Sequence, residues 1–361
     1  MSAPSAVRVE RWTTGSIVAT TIGAALIVFL AAGPAFFNAN LIDRLTVLFI
    51  YVILAAMWNA LAGYGGLISV GQQAFFGLGA YAAVRLANIG LNPFLSMLVG
   101  AILVGVVSLP ISTFMLRLKT SEFAIGMWVI AELAHLLVNL DGLINGETGT
   151  SFIELNQYDA DVRHMLIYWS ALAAMVALLG IVFLLLRSRV GVSIQAIRDN
   201  EDAAASVGVK VLFTKRIVFV LAAAGAAAAG ALWVANAITF QPQSYFSVQW
   251  TAYMIFMVLV GGIGTFEGAI VGAVIFFLIE TWFGATGVWY LIGLGATAMI
   301  FALFLPRGIW GSLEDRFGIR LLPVGYRLTS ADAANFAGRS GEFSNPQSAE
   351  TSEARAVSGD S

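Results

Sequence analysis

Long apolar runs separated by short polar stretches dominate the chain. Ten such runs are predicted, at 15–33, 45–61, 63–89, 94–116, 123–140, 165–186, 217–240, 248–260, 269–283 and 287–305. A run of roughly 20 apolar residues is long enough to cross a bilayer as a helix. The short alternating segments of a membrane β-barrel are not seen. The pattern therefore predicts an all-α polytopic integral membrane protein with about ten transmembrane or re-entrant helices.

The composition agrees with this class. Hydrophobic residues make up 59% of the 361 residues and charged residues 11%, against roughly a quarter charged in typical soluble domains. The chain has no cysteine, which excludes disulfides and thiolate metal sites. Its two histidines do not predict a metal site. The net charge of −2 says little, because the distribution of charges along the chain carries the information.

Basic residues follow the apolar runs with a strong bias. Of the 19 Lys and Arg residues, only Arg44, Arg85 and Arg163 fall in or near predicted outer segments. Because short cytoplasmic loops carry an excess of Lys and Arg, the bias places both termini in the cytoplasm. A second interpretation of the first run remains open, since Arg8 and Arg11 ahead of it also fit a signal peptide.

These patterns divide the chain into segments with separate expected roles. A cytoplasmic arm (1–14) precedes a transmembrane domain (15–306), and a basic juxtamembrane segment (307–328) leads to a C-terminal tail (329–361). The tail is rich in Ser, Ala, Gly and Glu without periodicity, which predicts a disordered cytoplasmic segment. The acidic external loop (141–164) is expected either to contact an extracytoplasmic partner or to be a solvated linker.

The cytoplasmic loop 187–216 is the most basic connection. It holds six Lys or Arg residues, and residues 193–206 carry apolar positions at near-helical spacing ahead of Gly208. The pattern predicts a short amphipathic helix ended by a glycine. Its small alanines let a partner surface approach closely; the other open interpretation is a plain topology signal. The candidate docking residues are Arg198, Glu201, Asp202, Ala203, Ala204 and Gly208.

Glycine interrupts the apolar pattern in two places. Residues 63–81 combine six glycines with three polar side chains, and residues 261–268 read GGIGTFEG. Glycine-broken segments in two places of a transporter point to its working centre, whereas close helix packing through small residues is the other interpretation. The candidate path or hinge residues are Gly65, Gly66, Ser69, Gly71, Gln72, Gln73, Gly261, Gly262 and Gly264.

Few ionisable residues lie within the predicted spans. Glu132 and His135 share one face of the fifth run, where they either line a polar path or form a structural bond. Glu267 and Glu280 complete the acidic candidates and keep an ion-coupled secondary transporter open as an alternative. The chain lacks the GxxxxGK[ST] phosphate loop, so this device for hydrolysing ATP is absent. No cluster of acids, bases or metal ligands indicates an enzyme, and no catalytic residue is predicted.

Three stretches together resemble the permease subunits of branched-chain amino acid ABC importers. They are GYGGLISVGQQAFFGLGAYAA (63–83), AIRDNEDAAASVGV (196–209) and GGIGTFEGAIVGAV (261–274), and the similarity extends over 46–308. In the second stretch, Asp202-Ala203-Ala204 followed by Gly208 is similar to the EAA-xxx-G motif, with Asp in place of Glu. The resemblance implies that this motif forms a coupling helix that docks on a cytoplasmic ATPase subunit.

The resemblance further implies a multi-subunit importer in a bacterial inner membrane. The implied partners are a second homologous permease, two cytoplasmic ATPases that hold ATP and magnesium, a periplasmic substrate-binding protein and membrane lipid. It implies no cofactor in this chain and no nucleic acid. The expected cargo is a branched-chain or related small aliphatic amino acid, with urea or short amides as the alternative. Alternating access is implied, in which the coupling loop transmits closure of the ATPases to the glycine breaks.

Overall fold

The computed structural model describes residues 8–10, 14–317 and 327–329. The α-helices over these residues are α1 (Thr14–Ala31), α2 (Ala39–Asn59), α3 (Gln73–Asn88), α4 (Pro93–Met115), α5 (Thr120–Asn139), α6 (Ala160–Arg187), α7 (Arg189–Asp199), α8 (Glu201–Ser206), α9 (Val211–Ala237), α10 (Pro242–Tyr245), α11 (Val248–Gly261), α12 (Phe266–Phe283), α13 (Val288–Phe304) and α14 (Gly308–Phe317). The all-α class is thereby confirmed. Most of the predicted arm and nearly all of the predicted tail lie outside the described residues.

Each predicted apolar run corresponds to one long helix. Over the described residues, eight helical segments are long and apolar enough to cross a membrane, and α1 contributes a shorter apolar helix. The remaining run gives α3, which has 16 residues. The structure thus confirms a polytopic membrane protein, while crossing of the bilayer by all ten helices stays a prediction.

Successive long helices run in opposite directions, so their connections gather at two ends of the bundle. We call one end the docking face; it carries residues 60–72, 188–210 and 262–265. The opposite face carries the connection between α3 and α4 and the long connection between α5 and α6, which are joined by a hydrogen bond from the Asn92 side chain to the Tyr158 hydroxyl (3.1 Å). The charge bias predicts that the docking face is cytoplasmic.

Two short antiparallel strand pairs join distant parts of the chain. The strands are β1 (Arg8–Glu10), β2 (Thr150–Ser151), β3 (Thr239–Phe240) and β4 (Arg327–Thr329). β1 pairs with β4, which brings the two ends of the described chain together. β2 pairs with β3 at the opposite face. Gly149 enters this second pair so closely that a Cβ atom would lie 2.0 Å from the Phe240 carbonyl oxygen.

The core is centred on α2, which is buried over most of its length. Its apolar residues pack against α6, α9, α11 and α12. Small residues govern the crossing of α3 and α9: a Cβ atom at Gly79 would lie 2.1 Å from the Ala227 carbonyl oxygen, and one at Gly230 would lie 1.9 Å from the Phe76 carbonyl oxygen. Small side chains let helix backbones approach within a membrane. The two glycines therefore set the distance between these helices.

Both glycine-rich interruptions are real breaks in helical structure. α2 ends in a π-helical turn, Ala60–Tyr64, and the chain is then non-helical until α3 begins at Gln73. The second break is a tight turn between α11 and α12, in which Gly262 and Gly264 adopt φ values of 136° and 74°. Glycine adopts such positive values without a steric penalty, so the GGIG sequence permits this turn.

The predicted single helix over 193–206 is wrong in one respect, because the segment forms two helices. Asn200 separates α7 from α8 with an extended conformation (φ −159°, ψ 108°). Its side-chain oxygen accepts a hydrogen bond from the Ala203 backbone N–H at 2.9 Å. Asparagine followed by Glu201 and Asp202 is a favourable helix start, because it satisfies a free N–H and places negative charge in the first turn.

Candidate functional site

The three segments singled out from the sequence meet on the docking face. The Asn59 amide, at the end of α2, donates to the Thr265 carbonyl and accepts from the Gly264 N–H, both at 2.8 Å. Arg198 of α7 donates through Nη1 to the Gly63 carbonyl at 2.9 Å. The end of α2 therefore joins the turn between α11 and α12 to the basic loop, and we call this meeting point the junction.

Glycine is required at the junction because main chains approach each other directly. A Cβ atom at Gly63 would lie 2.0 Å from the Asn59 side-chain oxygen and 2.6 Å from the Gly264 nitrogen. At Gly264, where φ is 74°, it would lie 3.1 Å from Nη1 of Arg198. A side chain at Gly63 would separate the segments that the hydrogen bonds hold together, and one at Gly264 would displace Arg198 and hold the residue at an unfavourable φ value.

One ion pair fixes the basic loop to the bundle, and a second lies within the loop. Arg198 also contacts Asp199 through Nη2 at 3.2 Å. Glu201, in the first turn of α8, pairs with Lys215 of α9 at 2.7 Å. The Lys215 side chain is only 10% exposed whereas that of Glu201 is 53% exposed, so this pair bridges the interior of the bundle and its surface. A displacement of α8 would thus act directly on α9 through this pair. A displacement of α7 would act on the end of α2 through the hydrogen bond between Arg198 and Gly63.

The far side of the loop presents a free surface on the docking face. Ala204 is the buried residue of α8, whereas Asp202, Ala203 and Gly208 are exposed and Val207 is 80% exposed. Gly208 has a φ of 89°, and its N–H donates to the Ala205 carbonyl at 3.0 Å, which ends α8 in the predicted way. Small and apolar exposed residues in this arrangement suit contact with another protein.

The polar residues of the first break are buried. The Ser69 hydroxyl accepts from the Gly71 N–H (3.3 Å), and the Ser69 carbonyl accepts from the Trp58 indole (3.0 Å). The Gln73 side-chain oxygen accepts from the Thr251 hydroxyl of α11. Gln72 differs, because neither atom of its fully buried amide has a hydrogen-bond partner among the described residues.

The glycines of the two breaks mainly serve close packing. A Cβ atom at Gly71 would lie 1.9 Å from the Met127 carbonyl oxygen of α5, and one at Gly261 would lie 1.9 Å from the Gly268 carbonyl oxygen. Gly65 and Gly66 border a cavity beside Arg198. Both interpretations of the glycine-rich segments therefore have structural support: the helices are broken, and the glycines pack against neighbouring main chains. Their role as a path or hinge stays a prediction.

Glu132 and His135 lie away from the junction, toward the opposite face. His135 Nδ1 lies 3.3 Å from Glu132 and its Nε2 lies 2.8 Å from Glu147. Its ring stacks on Phe246 with centroids 5.6 Å apart, and the Gln243 N–H donates to Glu147 at 3.0 Å. His135 thus ties α5 to the connection after it and to the region of α10, an arrangement that favours the structural bond.

The acidic candidates Glu267 and Glu280 lie at the two ends of α12. Glu267 is in its first turn, beside the docking face, and Glu280 is near its other end.

Three important residues were missed from the sequence, namely Asn59, Lys215 and Thr251. Asn59 had a usable signal, since it is a lone amide near the end of an otherwise apolar run and polar side chains inside a membrane are costly.

Gln72 and Gln73 form a matched pair for mutation, because their amides are neighbours in the chain but only one is hydrogen-bonded. We expect Gln72→Leu to raise the melting temperature, since removal of an unpaired buried amide relieves a cost of about 1–3 kcal/mol. Gln73→Leu is expected to lower it by leaving the Thr251 hydroxyl unpaired. Differential scanning fluorimetry in detergent measures both. If Gln72 belongs to a hinge or path, uptake by Gln72→Leu will fall despite the higher stability; unchanged uptake would assign Gln72 to packing.

Asp141, on the opposite face, is expected to make stability depend on pH. Hydrogen bonds from the Tyr81 hydroxyl (2.7 Å) and the Leu143 N–H (3.0 Å) lower the pKa of Asp141, and Arg85 adds to the effect. The ionised Asp141 carboxylate therefore stabilises the folded protein. This stabilisation is complete above the unfolded pKa of about 3.9, and it is lost as the pH falls toward the lower pKa of the folded state.

Asp141→Asn should therefore melt at a lower temperature than wild type near neutral pH, and the difference should shrink in acid. Thermal melts across this pH range measure the effect. Asp161→Asn, at an exposed aspartate on the same face, is the control. A constant difference between wild type and Asp141→Asn at every pH would contradict the prediction.

Comparisons with known proteins identify the family to which the chain is similar. A family model described as "Branched-chain amino acid transport system / permease component" matches residues 40–305. The high-affinity branched-chain amino acid transport system permease protein LivM of Escherichia coli (strain K12) is 25% identical over 312 residues, which cover 79% of this chain and 73% of LivM. LivM of Salmonella typhimurium has the same identity and coverage.

Two solved structures also align with the chain. One is described as a metal-chelate type ABC transporter in an inward-facing conformation; it has 13% identity and a TM-score of 0.47, over 80% of this chain and 99% of that one. The other, PsaBC from Streptococcus pneumoniae in complex with Fab, has 17% identity and a TM-score of 0.34, over 70% and 95% of the two chains.

Proposed function

This chain belongs to the family of permease components of branched-chain amino acid transport systems, and we propose that it forms part of the translocation path of an ATP-driven importer. As a member of this family it is a multi-pass ABC transporter permease. The proposed cargo is a branched-chain or related small aliphatic amino acid, and the proposed location is a bacterial inner membrane. ATP and magnesium are assigned to partner ATPase subunits rather than to this chain.

The junction is the observation that supports the coupling part of this proposal. A cytoplasmic ATPase can drive transport only if its movement reaches the membrane helices. Here the exposed surface around Ala203 and Gly208 lies on a loop that is bonded to Gly63 through Arg198 and to α9 through Glu201. Asn59 then joins the end of α2 to the second glycine break. One loop is thus connected to both breaks.

The mechanism we propose is alternating access driven from the docking face. Closure of two ATPase subunits on ATP displaces α8, and the Glu201–Lys215 pair passes that displacement to α9. Arg198 passes it to the π-helical turn that ends α2. π-Helical turns are rare and frequently occur at functional sites, and a turn of this kind beside a non-helical segment suits a hinge.

The proposed importer includes three further partners. A second homologous permease completes the path across the membrane, and membrane lipid surrounds the pair. A periplasmic substrate-binding protein meets the opposite face, where the connection between α5 and α6 is ordered by β2 and by contacts of Glu147. Glu132 and His135 line the path only if the second permease or the cargo reaches the exposed Glu132 carboxylate.

An ion-coupled carrier and a permease for urea or short amides are the competing functions. Ion coupling would place the driving step at Glu132, Glu267 or Glu280 and would leave the loop without a partner. Uptake in proteoliposomes separates the three: dependence on internal ATP supports an ABC importer, dependence on an ion gradient supports a carrier, and the accepted solute distinguishes amino acids from amides.

Docking of an ATPase subunit is tested by Gly208→Trp. We expect wild type to co-purify with an ATPase in mild detergent and the variant to lose it, because a large side chain would stand on the docking surface. Gly287→Trp is the matched control, since Gly287 also has a positive φ (60°) and open space around it but lies at the opposite end of the bundle. Ala203→Trp is expected to act like Gly208→Trp without a change in backbone strain.

Two results would contradict this assignment. Equal recovery of the ATPase with wild type and with both docking-face variants would remove the loop from the interface. A wild-type protein that transports its cargo with an ion gradient, and without any ATPase, would replace the importer with a carrier.

A further inference from the structure

Arg44 lies near the predicted outer side, contrary to the charge bias, and no ion pair within the described chain accounts for its position. Of the three cations predicted near the outer side, Arg85 pairs with Asp141 at 3.3 Å, and Arg163 donates to Asn156 at 2.9 Å. Arg44 makes no ion pair within the part of the chain that the structure describes. Instead, its side chain borders a cavity.

The cavity is a wide, open recess of about 430 Å³ that lies toward the opposite face, where α2, α9 and α12 meet. Its size falls in the range of small-molecule sites. Its walls combine both signs of charge with neutral polar and apolar groups. The principal lining residues are Asp43, Arg44, Val47, Asn236, Phe277 and Glu280.

The two carboxylates of the cavity are held by different neighbours. Asp43 is fixed by His164, whose Nδ1 lies 2.6 Å from Oδ1. Glu280 faces the Tyr51 hydroxyl of α2 and has no cation within ion-pair distance among the described residues. An ionisable residue within a membrane helix is costly and marks a functional site by default. Arg44 and Glu280, whose described partner is the neutral Tyr51 hydroxyl, thus place groups of opposite charge in one cavity without an ion pair.

We propose that this cavity binds the zwitterion of an aliphatic amino acid. Arg44 binds the α-carboxylate, for which a guanidinium has the right geometry, and Glu280, assisted by Asp43, binds the ammonium group. Val47 and Phe277 contact the aliphatic side chain. The inference rests on the proposed function and narrows its cargo, because urea and short amides lack the carboxylate that Arg44 requires.

The site lies on the same helix as the junction. Asp43, Arg44 and Val47 belong to the first turns of α2, and Asn59 and Gly63 lie at the other end of that helical segment. A solute bound at one end of α2 and a coupling loop bonded to the turn at the other end therefore act on the same helical segment. This position suits an entry site, occupied before the cargo moves toward the docking face.

Equilibrium binding of radiolabelled L-leucine to the purified permease complex, without the substrate-binding protein, tests the site. Arg44→Gln and Glu280→Gln are each expected to weaken binding about tenfold to a hundredfold, the range for loss of one charged hydrogen bond. Arg163→Gln, at an outer cation that does not border the cavity, is the control and should bind as wild type. Arg44→Lys should recover part of the affinity by restoring the positive charge.

Competing ligands test the same site without relying on a variant. On wild type, leucinamide, 4-methylpentanoate and urea lack the carboxylate, the ammonium or both, so each should displace leucine poorly. With Arg44→Gln, leucinamide should compete nearly as well as leucine. If a variant fails to fold, the competition on wild type alone decides the matter.

The inference is overturned if leucine and leucinamide bind wild type equally, or if Arg44→Gln and Glu280→Gln both retain full affinity in a complex that takes up leucine. That outcome leaves the importer function standing. A complex that takes up urea or acetamide but no leucine would instead refute the proposed cargo itself.

Discussion

Asn59→Leu is expected to abolish uptake while leaving the bulk of the bundle folded. The substitution removes a buried amide that donates to Thr265 and accepts from Gly264, and leucine of similar size cannot replace either hydrogen bond. Each buried main-chain group left unpaired costs about 1–3 kcal/mol. The turn between α11 and α12 should therefore detach from the end of α2, and the displacement of the loop should no longer reach it.

The measurement is ATP-driven uptake together with ATPase activity in the reconstituted complex. We expect uptake near background with ATP hydrolysis retained, because the loop and its docking surface are untouched. Thr46→Val is the control on the same helix, since the buried Thr46 hydroxyl bonds only to the Ile42 carbonyl one turn earlier. Normal uptake by Asn59→Leu would show that the junction does not carry the coupling.

Gly230→Val is expected to prevent formation of a stable protein. The added Cβ atom would lie 1.9 Å from the Phe76 carbonyl oxygen, and no rotamer relieves a clash with a main-chain atom. The crossing of α3 and α9 would have to open along its length, and overpacking of this kind costs about 3 kcal/mol or more. Loss of a monodisperse peak in size-exclusion chromatography and a collapsed thermal transition are the expected results.

Gly180→Val is the control for this prediction. Gly180 lies within α6, also in a membrane helix, and a Cβ atom there would meet no atom within 4 Å. The two substitutions thus make the same chemical change in the same type of element. Equal stability of the two variants would mean that α3 and α9 can separate at little cost, contrary to the packing seen here.

The order of the helices follows from the apolar pattern, because each run must be buried in the bilayer or in the bundle. The turn at residues 262–265 was also foreseeable, since glycine adopts the positive φ values of Gly262 and Gly264 without a steric penalty. The sequence contains a signal for the break between α7 and α8, but the helical spacing of the apolar residues concealed it. Asn200 followed by two acids marks a helix start, although the apolar spacing continues across it.

The junction was less accessible to prediction than the segments that form it. Arg198 bonds to a main-chain carbonyl, and such an acceptor exists at every residue, so nothing in the sequence selects Gly63. Gln72 and Gln73 look alike in the chain, yet only Gln73 finds a partner, because the distant α11 supplies Thr251. Contacts between segments far apart in sequence depend on the packing of whole helices, and local patterns do not encode them.

In the hydrogen bond between Arg198 and the Gly63 carbonyl, only the donor is a side chain and so depends on the amino-acid sequence. A change at position 198 removes the donor, whereas no substitution at position 63 removes the acceptor, although any side chain there would collide with Asn59. Chimeric permeases that exchange residues 188–210 between relatives need therefore preserve Arg198 and Gly63 for this bond, and Glu201 for its ion pair with Lys215. Evolutionary drift in the loop is thus constrained at Arg198 and Glu201, whereas its exposed surface is free to change along with the surface of the ATPase.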